Sequence, residues 1–199
     1  MKLWVLAVIA ALVSAGMSAG APAPAEASDW AVQDGSRVGF IATQGGAPVE
    51  GVFETFEAEI RFDPEALDRS RVAVTIDIAS VNSDSKDRDD TIRSASLFDV
   101  ATWPRARFEA EGFKRNGASG YEAAGRLTMR DVTKDVVLPF TLEIAPDPDQ
   151  PGQLRAVAKG ELKVQRLDYG VGQGLWTDTS VVGNEVVIFI DIRATRPGG

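Results

Sequence analysis

Four stretches of the chain alternate apolar and polar residues with a period of two. Their apolar positions are Phe56, Ala58, Ile60 and Phe62; Val72, Val74, Ile76 and Ile78; Val136, Leu138, Phe140, Leu142 and Ile144; and Val186, Ile188, Ile190 and Ile192. Successive side chains of a β-strand point to opposite faces, so each stretch presents one apolar and one polar face. Several such strands in a chain of 199 residues hide a shared apolar face by curling round it.

Turn residues divide the rest of the chain into further strand segments. The eight predicted strands cover residues 37–42, 49–62, 72–81, 105–114, 121–129, 134–144, 153–164 and 185–194. Gly45-Gly46, Asp63-Pro64, Asn116-Gly117 and the Pro/Asp-rich segment 146–152 lie between them and favour hairpins. Hairpin connections make a sheet antiparallel, and strands of about 30 Å suit a barrel better than a small sandwich. The predicted fold class is therefore all-β, an extended eight-stranded antiparallel lipocalin-like barrel.

One segment, residues 83–100, departs from this pattern and predicts a short helix. Charged residues crowd its first half, and Ile92, Leu97 and Phe98 follow at spacings that gather on one helix side. Acidic side chains near its start suit the positive end of the helix dipole. We expect this helix to cap or flank the barrel.

The N-terminal segment has the features of a secretory signal peptide. Lys2 precedes an unbroken apolar run over residues 3–13, and Ala-x-Ala sequences follow that end at Ala21 and Ala27. Cleavage after either alanine fits the pattern. Because no later stretch approaches about 20 uncharged apolar residues, the mature chain is predicted to have no transmembrane segment. We expect residues 1–27 to be removed and residues 28–199 to form one domain.

Composition excludes several classes of function. The chain contains no cysteine and no histidine, which removes disulfides, thiol nucleophiles, Ser-His-Asp triads and most zinc and haem sites. Its net charge of −8 repels phosphate backbones, so nucleic acid is not an expected partner. The sequence thus favours a binding protein without a metal or cofactor over an enzyme.

Two short segments could in principle carry a metal or a phosphate group. The acidic cluster around Asp87 and Asp90 lacks the glycine of a calcium loop and has Arg93 where the closing glutamate belongs. The glycine-rich run 169–176 lacks the spacing of a phosphate-binding loop. Solvated ion pairs at a helix start and a loop at the barrel mouth are the simpler interpretations.

Hydrolysis without histidine is a further alternative. Thr133-Lys134-Asp135 and Ser94 beside Arg93 supply hydroxyl groups next to charges, but neither lies in a nucleophile-elbow or S-x-x-K sequence. Catalysis therefore ranks below binding.

An eight-stranded barrel either fills with its own side chains or holds one small ligand. Small residues interrupt the predicted inward faces at Ala58, Ala110, Gly112, Ala123, Gly125, Ala156, Ala158 and Gly160. They leave room in the middle of the barrel, which favours a cavity.

Motifs spread over nearly the whole mature chain carry a family resemblance. The matching residues are Trp30, Asp34, Ser36, Val38 and Phe40; Gly51, Phe53 and Phe56; 76–80; Arg88 and Asp89; 92–94; 98–100; Trp103, Pro104 and Phe108; Gly125, Leu127 and Thr128; 132–134; 165–170; and Val182, Gly183, Glu185 and Val186. Together they resemble the YceI-like family of periplasmic polyisoprenoid-binding proteins. The chain departs from the family pattern at Gly35, where a histidine is frequent, and at Asp131, where a glycine is frequent.

The resemblance implies a periplasmic carrier for a polyisoprenoid lipid, such as an isoprenoid quinone. The inward residues predicted to line its pocket are Phe40, Phe56, Ile76, Phe108, Leu127, Phe140, Leu162 and Ile188. Trp103 and Trp176 are candidates for the mouth of the barrel. Arg88 and Asp89 are candidates for a polar or structural role near the helix. The alternative is a ligand-free barrel acting as a protein-interaction or stress-protective module, and a homodimer stays open in either case.

Overall fold

In the computed structural model, which describes residues 29–198, strands dominate the chain. Over this range there are eleven strands and one α-helix: β1 (Asp29–Val32), β2 (Arg37–Gln44), β3 (Ala47–Phe53), β4 (Phe56–Arg61), β5 (Arg71–Asp77), β6 (Val81–Asn82), α1 (Lys86–Arg93), β7 (Arg105–Arg115), β8 (Gly120–Met129), β9 (Val132–Pro146), β10 (Gln153–Gln165) and β11 (Val182–Pro197). The predicted signal peptide lies outside the described residues. Between residues 29 and 198, no helix is long and apolar enough to cross a membrane.

The sheet closes on itself as an eight-stranded barrel. The hydrogen-bonded order β1-β4-β5-β7-β8-β9-β10-β11 is completed by a β1–β11 pairing, and every pair is antiparallel. The strands β2, β3 and β6 continue β1, β4 and β5 after short interruptions and pair with one another beside the first half of β11. The eleven segments therefore make eight long strands, which confirms the predicted fold class.

Because all neighbours are antiparallel, the connections alternate between the two ends of the barrel. One end, here called the helix end, carries residues 45–46, 83–104 with α1, 130–131 and 166–181 with two 3₁₀ turns. The other, here called the aromatic end, carries residues 62–70, 116–119 and 147–152. The two longest connections, residues 83–104 and 166–181, lie at the helix end, so this end can surround an entrance to the barrel.

Strand β11 has apolar residues on both faces, and its packing decides which face lies inside. Ile188, Ile190 and Ile192 point into the barrel. Phe189 lies outside, where its ring approaches the backbone of Gly39 and the Arg37 guanidinium lies 5.3 Å from the ring centre. A β-carbon on Gly39 would come within 2.5 Å of that ring, so the glycine is required for the ring to pack.

The small residues predicted on the inward faces have different roles in the barrel. Ala58, Ala123, Ala156 and Ala158 line the interior. A β-bulge between Ala110 and Gly112 turns Gly112 to the outer surface and brings Phe113 inward, so placing Gly112 inside was wrong. Gly125 and Gly160 permit close approach of strands, since a β-carbon at either would meet a neighbouring carbonyl oxygen within 2.6 Å.

The helix is shorter than predicted. It covers Lys86–Arg93, whereas the charge and apolar pattern extended to residue 100. After Ser94 the chain folds back in turns that bond Phe98 and Val100 to the last helical carbonyls, and Asp99 takes a left-handed conformation with φ 51°. These turns, rather than further helix, bring Leu97 into the core.

The turn between β8 and β9 contains Asp131, which stands where the family frequently has a glycine. The left-handed residue of this turn is its neighbour Arg130, with φ 52°. The Arg130 guanidinium lies 4.3 Å from the centre of the Trp103 ring and donates a hydrogen bond to the carbonyl of Leu97. These contacts hold the arginine in a conformation that costs a non-glycine residue about 1–3 kcal/mol.

Candidate ligand-binding cavity

The interior of the barrel contains a cavity of about 490 Å³. All eight long strands contribute to its wall, and the lining is almost entirely aliphatic and aromatic. The four alanines Ala58, Ala123, Ala156 and Ala158 provide part of this space because larger inward residues would fill it. An apolar void enclosed by strands is a site for a hydrophobic guest molecule.

Most residues that the sequence singled out for the pocket lie on its wall. These are Phe40, Ile76, Phe108, Leu127, Phe140, Leu162, Ile188 and Trp176, together with Arg88. Phe56 packs against the core but does not line the cavity. It is the first residue of β4, directly after the interruption that follows Phe53.

Trp103 was a candidate for the mouth, and Asp89 was predicted to have a polar or structural role near the helix. The contacts of both residues are structural. Trp103 packs beneath Arg130, as described above. Asp89 is buried and accepts hydrogen bonds from the backbone N–H of Ser83 at 3.0 Å and from its hydroxyl at 2.5 Å. This carboxylate joins the first turn of α1 to the end of β6, so it positions the helix over the barrel.

Aromatic side chains fill the aromatic end. The Phe62 ring makes edge contacts with Phe113, Tyr121 and Phe140 at centroid distances of 5.3, 5.5 and 6.0 Å. The indole of Trp30 donates a hydrogen bond to the Phe62 carbonyl at 2.9 Å. Phe62, Tyr121 and Trp30 are buried, so the rings close this end against water.

At the helix end the cavity reaches solvent between polar side chains. Gln44 and Asp87 line it and are exposed, while Arg88 and Thr91 line it from α1. Arg88 donates hydrogen bonds to the hydroxyl and the carbonyl of Ser83, which fixes the arginine beside the opening. This end therefore provides both the entrance and the polar groups.

The connection between β10 and β11 forms another side of the entrance. Trp176 lies in the 3₁₀ turn Gly174–Thr177 and contacts the cavity, whereas the neighbouring Leu175 is 91% exposed. Gly170 and Gly172 precede the turn and Gly174 is its first residue, and all three have positive φ. The chain path that brings Trp176 to the opening thus depends on glycine.

Arg166, at the base of this connection, is 5% exposed and lines the cavity. Its guanidinium donates to the carbonyls of Gly183, Val171 and Val182, each at 2.9 Å. Loss of solvation on burial lowers the pKa of Arg166 from its usual range, although an arginine stays charged in proteins. The helix end therefore holds a buried cation whose bonded partners are neutral carbonyl groups.

Two parts of the site were not assigned a role from sequence. Arg166 was noted within the motif 165–170, and the rings of Phe62 and Tyr121 were not connected with each other. A buried position for Arg166 has no signature in a single sequence. The aromatic cluster does have a sequence signature, because its rings flank two predicted turns of the same end. Phe62 precedes the turn at Asp63-Pro64, and Phe113 and Tyr121 flank the turn at Asn116-Gly117.

Histidine and cysteine are absent from the sequence, and in the part of the chain that the structure covers no group of carboxylates is arranged to hold a metal ion. An eight-stranded antiparallel barrel with an apolar interior and one polar mouth is a lipocalin-like binding protein. Comparison with known proteins narrows this class. Residues 30–194 match the YceI-like domain, and the chain belongs to this family.

Relatives and solved structures agree with this assignment. A UPF0312 protein of Azotobacter vinelandii is 33% identical over 146 residues, which is 73% of each chain. The crystal structure of Burkholderia cenocepacia BcnA has a TM-score of 0.72 and 30% identity, covering 79% of this chain and 95% of that one. A polyisoprenoid binding domain from Saccharophagus degradans has a TM-score of 0.61 at 16% identity, covering 87% and 100%, and this last likeness concerns the fold alone.

Proposed function

We propose that this protein is a non-catalytic carrier that holds a polyisoprenoid amphiphile in its barrel. The observation that carries the proposal is the cavity of about 490 Å³, with an apolar wall and a polar opening at the helix end. Family membership supports it, as does the description of the Saccharophagus degradans domain as polyisoprenoid binding. A self-filled interaction module would have side chains in this space.

The size of the cavity indicates the length of tail it accepts. At about 30 Å³ for a water-sized group, a void of about 490 Å³ corresponds to about 16 such groups, which is the order of size of a prenyl tail of about 15 to 20 carbons. Burial of about 20 carbons contributes roughly 16 kcal/mol at about 0.8 kcal/mol per methylene. Association costs of about 4–15 kcal/mol are subtracted from this gain, and the remainder supports stable loading.

The two ends of the cavity orient the ligand. The tail contacts the aliphatic wall and reaches toward Phe140 and Phe62, while the head stays near Arg88 at the opening. Entry through the helix end follows, because the aromatic end is filled by buried rings.

The location and the natural ligand belong to the same proposal. Export to the periplasm is supported by Lys2, the apolar run 3–13 and the small residues before Ala21 and Ala27. In that compartment an isoprenoid quinone is an amphiphile of the right kind, with a polar ring on a long apolar tail. The carrier would shield that tail from water.

Native purification followed by solvent extraction and mass spectrometry tests the carrier function. The mature protein is expressed with its own leader, purified without detergent and extracted with organic solvent. We expect a prenyl lipid in about molar amount. A sample of the same protein, unfolded in denaturant, washed and refolded, is the control and should be empty.

The refolded empty protein then serves for direct titration with geranylgeranyl compounds. Trp176 and Trp30 line opposite ends of the cavity, so their fluorescence reports occupancy. Absence of extracted lipid together with no response to any prenyl compound would overturn the carrier function.

A further inference from the structure

Several arginines on the outside of the barrel pair with carboxylates, whereas the two on the cavity wall bond only to neutral groups. Arg37 pairs with Glu50 at 2.6 Å and Arg61 with Asp29 at 2.8 Å, for example. Arg88 and Arg166 line the cavity, and their hydrogen bonds go to Ser83 and to backbone carbonyls. Neither forms an ion pair with a carboxylate within residues 29–198.

The bonds that hold Arg166 do not use its full capacity. A guanidinium has five N–H donors, and three of these bond to carbonyl oxygens, which leaves two. The main chain wraps closely round the group, since a β-carbon on Gly172 would come within 2.1 Å of Nη1. Arg166 is thus fixed in place before any ligand arrives.

Arg166 also lies where the head of a bound amphiphile would be. Two of its carbonyl partners, Val171 and Val182, line the cavity, as does Trp176, whose own carbonyl lies beside Gly172. Arg88 reaches the same end from α1, and Asp87 is the one carboxylate that lines the cavity within residues 29–198. The charged lining is therefore two cations and one anion.

We propose that Arg166, assisted by Arg88, forms a head-group subsite that takes an acidic oxygen, a carboxylate or a phosphate monoester. This inference rests on the proposed carrier function and favours a prenyl lipid with an acidic head over the neutral head of a quinone. A buried cation surrounded by neutral dipoles gains most from an anion, because charge interactions are strong where water is excluded. A fixed guanidinium donates in parallel to carboxylate and phosphate oxygens.

The test compares three probes with the same C20 tail on the wild-type protein: geranylgeraniol, geranylgeranoic acid and geranylgeranyl phosphate. Affinity is measured by tryptophan fluorescence on the refolded empty protein below the critical micelle concentrations. We expect the acid or the phosphate to bind at least about tenfold more tightly than the alcohol, the ratio expected for one charge-assisted hydrogen bond. The two acidic probes distinguish a carboxylate from a phosphate head.

Arg166→Met and Arg166→Lys assign the preference to this side chain. We expect the methionine variant to lose most of the preference for the acidic probes, because only Arg88 is left, and the lysine variant to keep more of it. Arg93→Met is the matched control, since Arg93 also donates to two backbone carbonyls, those of Ala79 and Val81, but does not line the cavity. It should leave the ratio of affinities unchanged.

The outcomes separate the two proposals. Equal affinity of wild type for the alcohol and both acidic probes would overturn the acidic subsite and leave the carrier function standing. No binding of any probe would overturn the carrier function itself. If Arg166→Met does not fold, the ratio of affinities for the acidic probes and the alcohol, measured on the wild type and on Arg166→Lys, still tests the acidic subsite.

Discussion

The two ends of the barrel are built from opposite kinds of side chains. At the aromatic end, Phe62 contacts three other rings, and Trp30 is hydrogen bonded to its backbone. At the helix end, Arg88, Asp87 and Gln44 surround the opening of the cavity. One end is closed by packed rings, and the other is open to solvent between polar side chains.

This difference gives the cavity a direction. A molecule with an apolar tail and a polar head fits in one orientation, with the tail toward the rings and the head toward the arginines. The aromatic end should therefore contribute mainly to stability, and the helix end mainly to binding. Four changes test this division.

The largest effect is expected from Phe62→Ala at the aromatic end. Removal of a buried ring that contacts Phe113, Tyr121 and Phe140 should lower the free energy of unfolding by about 3–5 kcal/mol. Trp176→Ala at the helix end is the matched aromatic deletion and should cost less, because Trp176 is only half-buried. Urea unfolding followed by circular dichroism measures both. Equal losses would show that the two ends do not differ in packing.

Blocking the middle of the barrel should separate loading from stability. Ala158→Phe places a ring in the cavity between the two ends and should weaken binding of geranylgeranyl probes at least about 100-fold, or about 2.7 kcal/mol. The same substitution at Val157, the neighbouring residue on the opposite face of β10, is the control and should leave affinity within a factor of about two. Binding is measured by tryptophan fluorescence. Retention of full affinity in Ala158→Phe would place the ligand outside the barrel.

The strands were the most predictable part of this molecule. Apolar alternation and turn residues are local signals, so together they located all eight long strands, including both halves of the strand interrupted between Phe53 and Phe56. β1 was missed because four residues are too short for a period to show. Its position depends on Trp30, which is buried only through contacts with residues far along the chain.

The wall of the cavity was predictable for the same reason, and its exceptions have tertiary causes. Phe40, Phe140 and Ile188 face inward because the strand period fixes their side. The bulge between Ala110 and Gly112 shifts the inward–outward alternation by one residue midway along β7. No local sequence signal marks this bulge. The contact of Asp89 with Ser83 and that of Trp103 with Arg130 depend on the tertiary fold, so the sequence alone did not reveal them.

At the helix end, Asp89→Ala should lower the free energy of unfolding by about 1–3 kcal/mol. The change leaves the buried N–H of Ser83 without its acceptor, and it frees the Ser83 hydroxyl that holds Arg88. Affinity for acidic prenyl probes should therefore fall as well. Asp90→Ala, which removes an exposed carboxylate from the same helix, is the control for both urea unfolding and binding and should lose less in each.

The smallest effect concerns an exposed ion pair at each end, and here the two ends should behave alike. A hydrogen bond from Lys86 lowers the pKa of Asp90 at the helix end, and one from Arg61 lowers the pKa of Asp29 near the aromatic end. A carboxyl with a lowered folded-state pKa stabilises the protein above its unfolded pKa, and this contribution is lost as the pH falls through the folded value. Carboxyl carbon titrations by NMR should show both midpoints below about 3.9, and Asp90→Asn or Asp29→Asn should each flatten the acid limb of the stability profile slightly. A midpoint above that value for either carboxyl would contradict its ion pair. Similar midpoints for Asp90 and Asp29 would support the view that the two ends differ in their buried groups and not in their exposed ion pairs.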